Sequence, residues 1–95
     1  MASNKMPPKD PDAVLPYAED WTAWLVAEEN DTIVDSTWTA NNAAMTIESS
    51  TFAAGITVVW LSGGTAGKEY TVTNHIVTAS GREDDRSIIV PVKER

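Results

Sequence analysis

Apolar and polar residues alternate along much of this chain with a period of two, the period at which successive side chains leave opposite faces of a strand. Over residues 32–40 the alternation puts Val34, Ser36, Trp38 and Ala40 on one face, with Trp38 as its core residue. Met45, Ile47 and Ser49 alternate with Thr46 and Glu48, and Phe52 caps or covers that strand. The clearest case is residues 69–79, where Tyr70, Val72, Asn74 and Ile76 share one face while threonines and His75 take the other. Residues 86–92 close the chain as a strand with Ile88, Val90 and Val92 inward, and Pro91 turns its missing donor outward or marks an edge. Residues 56–61 are apolar on parts of both faces, which predicts a central strand covered on both sides or a face used for association. Residues 20–26 read as the opening of a short strand. Trp21 and Trp24 there cannot share a period-two face, so one of them packs beneath the N-terminal segment or in a turn. Polar and glycine-containing turns fall at 28–31, 41–42, 62–68 and 80–85. About seven short strands spaced ~8–12 residues apart predict an all-β fold, an immunoglobulin-like β-sandwich without the cysteine pair of antibody domains.

The first sixteen residues follow another rule. Pro7, Pro8, Pro11 and Pro16 sit among Lys5, Lys9, Asp10 and Asp12, and Met6 is the only large apolar residue before Val14 past the initial Met1. Proline lacks the amide donor of a central strand and breaks a helix. Residues 1–16 therefore read as an extended arm, either a solvated tail or a segment that orders against a neighbouring subunit, and residues 17–95 as the β-sandwich domain.

Composition narrows the chemistry. A chain of 95 residues holds one domain and no separate cofactor domain. Eleven threonines, nine valines and six isoleucines favour strands, and four tryptophans add large apolar area to a small core. Without cysteine there are no disulfides, thiolate metal sites or cysteine nucleophiles, and a single histidine excludes multi-histidine metal cages. Fourteen acidic against seven basic residues give a net charge of −7, the wrong sign for a phosphate backbone, so no nucleic-acid partner is expected. No stretch has the length and apolarity of a signal peptide or a membrane span, which predicts synthesis in the cytoplasm and no membrane partner.

The remaining motifs have plain readings. Gly63-Gly64-Thr65-Ala66-Gly67-Lys68 invites comparison with a phosphate-binding loop, but Ser62 stands in the first position, Glu69 in the last, and a strand follows instead of a helix. Glycines supplying positive φ to a hairpin connection explain it, with an exposed contact surface as the alternative. His75 is not accompanied by a nucleophile motif, so a solvated or interface histidine is expected rather than a catalytic one. The carboxylates at 10 and 12, at 28, 29 and 31, and at 83–85 lack EF-hand spacing. They read as turn chemistry, with Arg82 and Arg86 pairing to acidic neighbours. No catalytic residue, cofactor or metal is expected.

The order of segments carries a resemblance. Residues 9–15 with Tyr17, Asp20 and Trp21 come first, followed by Asp31-Thr32-Ile33 leading to Ser36-Thr37-Trp38. Val59-Trp60-Leu61-Ser62-Gly63-Gly64-Thr65-Ala66-Gly67 follows, then Tyr70-Thr71-Val72-Thr73-Asn74 and Asp85-Arg86-Ser87. Together they resemble a family of small tailed-bacteriophage virion proteins described as fiber-tail adaptor or head-tail joining proteins. The likeness covers nearly the whole chain from Lys9; the chain departs from the pattern at Gly55 and at Pro91. It implies a structural, non-enzymatic role in the virion, as a multi-copy β-sandwich in a ring that links the tail or head-tail connector to tail fibers. The implied partners are other virion proteins, connector or tail subunits and the fiber. The expected interface residues are Pro7, Pro8, Pro11 and Pro16 of the arm, Tyr17, Trp21 and Trp24 beside it, and Gly63, Gly64 and Gly67 of the glycine loop. A carbohydrate- or host-binding β-sandwich is the alternative, and it would present Trp21 and Trp24 to solvent.

Overall fold

A computed structural model describes residues 3–27 and 31–94; the polar turn expected at 28–31 falls mostly outside the described residues. Among the described residues seven strands are formed: β1 (Ser3–Lys5), β2 (Leu15–Asp20), β3 (Ile33–Ala40), β4 (Met45–Ala53), β5 (Ile56–Gly63), β6 (Glu69–Thr78) and β7 (Glu83–Pro91). One short helix, α1 (Thr22–Val26), lies between β2 and β3. The strands divide into a four-stranded sheet in the order β1-β7-β6-β3 and a three-stranded sheet in the order β2-β5-β4. All pairings between strands are antiparallel except β1 with β7, which is parallel. Lettering β2 to β7 as B to G gives B-E-D opposite G-F-C, the order in which an immunoglobulin-type sandwich lays out its strands.

Period-two alternation holds where the sequence shows it. Tyr70, Val72, Asn74 and Ile76 of β6 are buried, as are Ile88, Val90 and Val92 at the end of the chain. β5 is the central strand of its sheet: Thr57, Val59 and Leu61 face the core, while Ile56, Val58 and Trp60 face away. Stacking the two sheets joins Tyr17, Trp38, Met45, Val59, Leu61, Tyr70, Val72, Ile88, Val90 and Val92 into the main core. A smaller cluster of Trp21, Leu25 and Ile76 sits at one end.

Three local expectations are corrected. Residues 22–26 form a helix, not a strand, because Trp21, Trp24 and Leu25 stand at i, i+3 and i+4 and can turn one apolar stripe onto the sandwich. The Asp20 carboxylate starts the turn, accepting from the Thr22 backbone N–H at 2.9 Å and the Thr22 hydroxyl at 2.6 Å. In β3 a bulge between Ile33 and Asp35 breaks the alternation, so Val34 is 54% exposed while Trp38 keeps its core position. Phe52 lies within β4 and is exposed rather than covering the strand.

The proline-containing segment is laid along this chain's own sheet. β1 takes an edge position, the place where proline-rich neighbours are tolerated. Beyond it Met6 N–H donates to the Ile89 carbonyl at 2.8 Å and Lys9 N–H to the Pro91 carbonyl at 2.8 Å, and Lys93 N–H returns to the Lys9 carbonyl at 2.9 Å. The chain then turns at 10–13, where the Asp10 side chain accepts from Asp12 N–H at 2.8 Å, and enters β2.

Candidate interaction surface

The buried polar groups come first, because they decide which of the expected interface residues face outward. Asn74 is fully buried between the sheets. Its Oδ1 accepts from Trp21 Nε1 at 2.9 Å and from the Thr57 hydroxyl at 2.6 Å, while its Nδ2 donates to Ser36 Oγ at 2.9 Å and to the Thr37 carbonyl at 3.0 Å. One amide thereby ties β6 to β3, to β5 and to the entry of α1 with all four of its hydrogen bonds made. Tyr70 makes a second tie: its hydroxyl accepts from Thr65 N–H at 2.8 Å, five residues upstream, and that bond lowers the phenol's pKa from its ordinary value. A tyrosine at this corner, two residues before the inward position held by Val72, is a hallmark of immunoglobulin-type sandwiches.

Trp21 and Trp24 pack edge to face with ring centroids 5.4 Å apart. Arg86 lies over the Trp21 ring at 4.2 Å and Arg82 over the Trp24 ring at 4.0 Å. Both guanidinium groups are held by acids as well: Arg86 by Glu19 at 3.3 Å and Arg82 by Asp31 at 3.1 Å. Asp31 also accepts from the Ser80 hydroxyl and the Thr32 N–H, and the Ser80 bond foremost holds its carboxyl well below the usual carboxylate range. This ladder clamps α1 onto β7.

The ten expected interface residues accordingly separate. Trp21 is completely buried and Tyr17 nearly so, and Trp24 is half-covered beneath Arg82, so none of the three presents an open ring to a neighbour. Pro7, Pro8 and Pro16 lie together: with Met6, Leu15, Tyr17 and Ala18 they line an apolar groove of about 390 Å³ between the arm and β2. Pro11 is half-buried in the following turn. Gly63 and Gly64 have φ of 80° and 95° and serve packing. A Cβ on Gly63 would stand 2.6 Å from the Ala44 carbonyl oxygen, and one on Gly64 2.6 Å from Val92. Gly67, φ 88°, has open space around it.

Lys9 is a residue that sequence reasoning assigned only to a polar arm. It is fully buried, with Nζ donating to the Gly63 carbonyl at 2.8 Å and the Asp10 carbonyl at 2.9 Å. Burial lowers its pKa, against the pull of Asp10 and Asp12. The lysine thus fastens the arm to the glycine loop. Nothing in its charged surroundings marked it in the sequence, since lysine is the residue least often buried.

The two outer sheet faces differ in kind. On the four-stranded sheet, His75 sits between Asp85, bonded to Nδ1, and Glu83, 2.8 Å from Nε2; the Asp85 bond foremost raises its pKa. Thr73 pairs with Ser87, and Lys5 with Glu69 at 2.7 Å, so ion pairs and hydroxyls run through this face, with Val77, Ile89 and Pro91 among them. On the three-stranded sheet the outward rows are Pro16, Trp60 and Ser49, then Ala18, Val58 and Thr51, then Asp20, Ile56 and Ala53. Trp60 is 41% exposed and Ile56 38%. An antiparallel sheet that faces water ordinarily carries polar residues there.

Among the described residues no group of three or more histidine and carboxylate side chains is placed to hold a metal ion, and no helix is long and apolar enough to cross a membrane. A search of curated proteins returns no match. The sequence profile of one family, described as podophage GP4 fiber-tail adaptor protein gp77, matches residues 9–91. That span begins at the buried Lys9 and ends at Pro91 of β7, so it takes in β2 through β7 and every buried residue of the two core clusters but Val92, and on that evidence the chain belongs to the gp77 family of podophage fiber-tail adaptor proteins, structural components of the phage.

Proposed function

We propose that this protein is a multi-copy virion adaptor that links the tail or the head-tail connector to tail fibers, arranged with several copies in a ring. The observation that carries the reading is the family match from β2 through β7. A short β-sandwich whose one outer face is rich in ion pairs while the other carries Ile56, Val58 and Trp60 supports it, because an adaptor must be held by one protein while it stays soluble on the side turned to water. The carbohydrate-binding alternative needs open aromatic platforms at Trp21 and Trp24, and these rings are taken up by the core and by Arg82. The test is deletion of the gene in the phage. Particles are expected to retain head and tail yet lack fibers, with the protein recovered in wild-type particles at a fixed multiple per tail; fibered, infectious particles without the protein would sink the proposal.

A further inference from the structure

We infer that the outer face of the β2-β5-β4 sheet docks a different protein, one that presents an apolar strip with basic residues at both its ends; this rests on the adaptor reading, which calls for such a partner. The face is built for apolar contact: Ile56, Val58 and Trp60 stand in line on the central strand, flanked by small residues such as Ala18 and Ala53 on either side. Flat flanks let a partner reach the three large side chains.

Charge selects the occupant. None of the outward residues of this face is lysine or arginine. Its two carboxylates stand at opposite ends: Asp20 beside Ile56, and Glu48 bonded to the Ser62 hydroxyl beyond Trp60. Six residues of strand separate these rows, about 20 Å at ~3.4 Å per residue. A partner with cations at both ends of an apolar strip matches that spacing. A second copy does not, since face-to-face packing brings only carboxylates to carboxylates between two chains of net charge −7. Pro16 belongs both to this face and to the apolar groove beside Pro7 and Pro8, so a strip crossing from β5 over β2 finds a recess of about 390 Å³ for one of its side chains.

The test places the photo-crosslinker p-benzoylphenylalanine at position 60, or at Thr37 on the opposite sheet as control, in the full-length protein in infected cells. Position 60 is expected to form an adduct at least five-fold more abundant than position 37. The adduct should map to an apolar segment of another protein with lysine or arginine on both sides. Combining Asp20→Asn, which keeps the oxygen that Thr22 needs, with Glu48→Lys should cut the adduct at least five-fold while the melting curve stays unchanged. Adducts joining two copies of this chain, equal or greater yield from position 37, or indifference to the charge changes would each overturn the inference. Particle composition is read in parallel. Adducts of the expected kind with the chain missing from particles would remove the adaptor reading and leave the docking face standing, whereas incorporation without an adduct at position 60 would remove the docking face alone.

Discussion

Asn74 shows how much one side chain can organise. Replacing it with alanine strands the Trp21 indole N–H in a buried space and leaves the Thr57 hydroxyl only the Glu19 carbonyl at 3.5 Å, and an unmatched buried group costs about 1–3 kcal/mol. Asn74→Ala should lose about 2–5 kcal/mol in urea unfolding, far more than its small change in volume suggests. Two titrating side chains predict the shape of the pH profile. His75 has a folded pKa above its unfolded value of about 6.5, so its contribution is full below that pH and is lost as pH rises through the folded value. Asp31 has a folded pKa below its unfolded value of about 3.9. Its contribution is present above that pH and is lost as pH falls below it. As pH rises above about 6.5, melting temperature should therefore decline less in His75→Gln than in the wild type, and as pH falls below about 3.9, less in Asp31→Asn.

At the scale of elements, the glycine loop and α1 are the informative cases. Gly63 and Gly64 adopt positive φ and also sit against backbone or core atoms, so an added methyl meets both strain and a clash. Gly67 meets strain alone. Gly67→Ala should cost about 1–2 kcal/mol, whereas Gly63→Ala and Gly64→Ala should cost about 2–5 kcal/mol by chemical denaturation. A phosphate-binding role would have left these glycines facing a ligand; here they face Ala44 and Val92. The helix α1 is only five residues long, below the length that holds itself in water. Its apolar spacing of three and four was present in Trp21, Trp24 and Leu25, but the segment is too short for that period to stand out from a strand. Docking of the two indoles against Arg82, Arg86 and Ile76 decides for the helix.

For the molecule as a whole, the arm is the part where sequence and structure differ most. Proline content and charge pointed to an extended arm, solvated or ordered against a neighbouring subunit, whereas here β1 and the Lys9 bridge lie along one edge of this chain's own four-stranded sheet and Met6 packs against the core. Removing residues 1–9 should lower stability by about 2–4 kcal/mol, from lost edge hydrogen bonds and an uncovered core margin. Lys9→Met, in contrast, should be neutral or stabilising, because a buried ammonium costs more desolvation than two carbonyl contacts return. The folded pKa of Lys9 lies below its unfolded value, so its cost is present below the folded value and is relieved as pH rises past it. The wild type should gain on Lys9→Met as pH rises toward the unfolded value of about 10.4, a comparison that thermal melts of the two proteins make directly.

The division between what the chain announces and what the fold decides follows from range. A period of two is a local property, so the inward faces of β6 and β7 and the core place of Trp38 were legible residue by residue, whereas β5 showed only an apolar run on parts of both faces. So were the all-β class and the sandwich, which follow from the number and spacing of such segments. The bonds that lock the sandwich join residues far apart in the chain: Asn74 to Trp21 and Ser36, Lys9 to Gly63, Arg82 to Asp31. No local pattern encodes these, because each polar group is satisfied only after the two sheets have stacked and the arm has been laid down. Tertiary structure alone decided that Trp21 and Lys9 lie inside, that Pro7, Pro8 and Pro16 share a groove, and that two carboxylates bracket one apolar face.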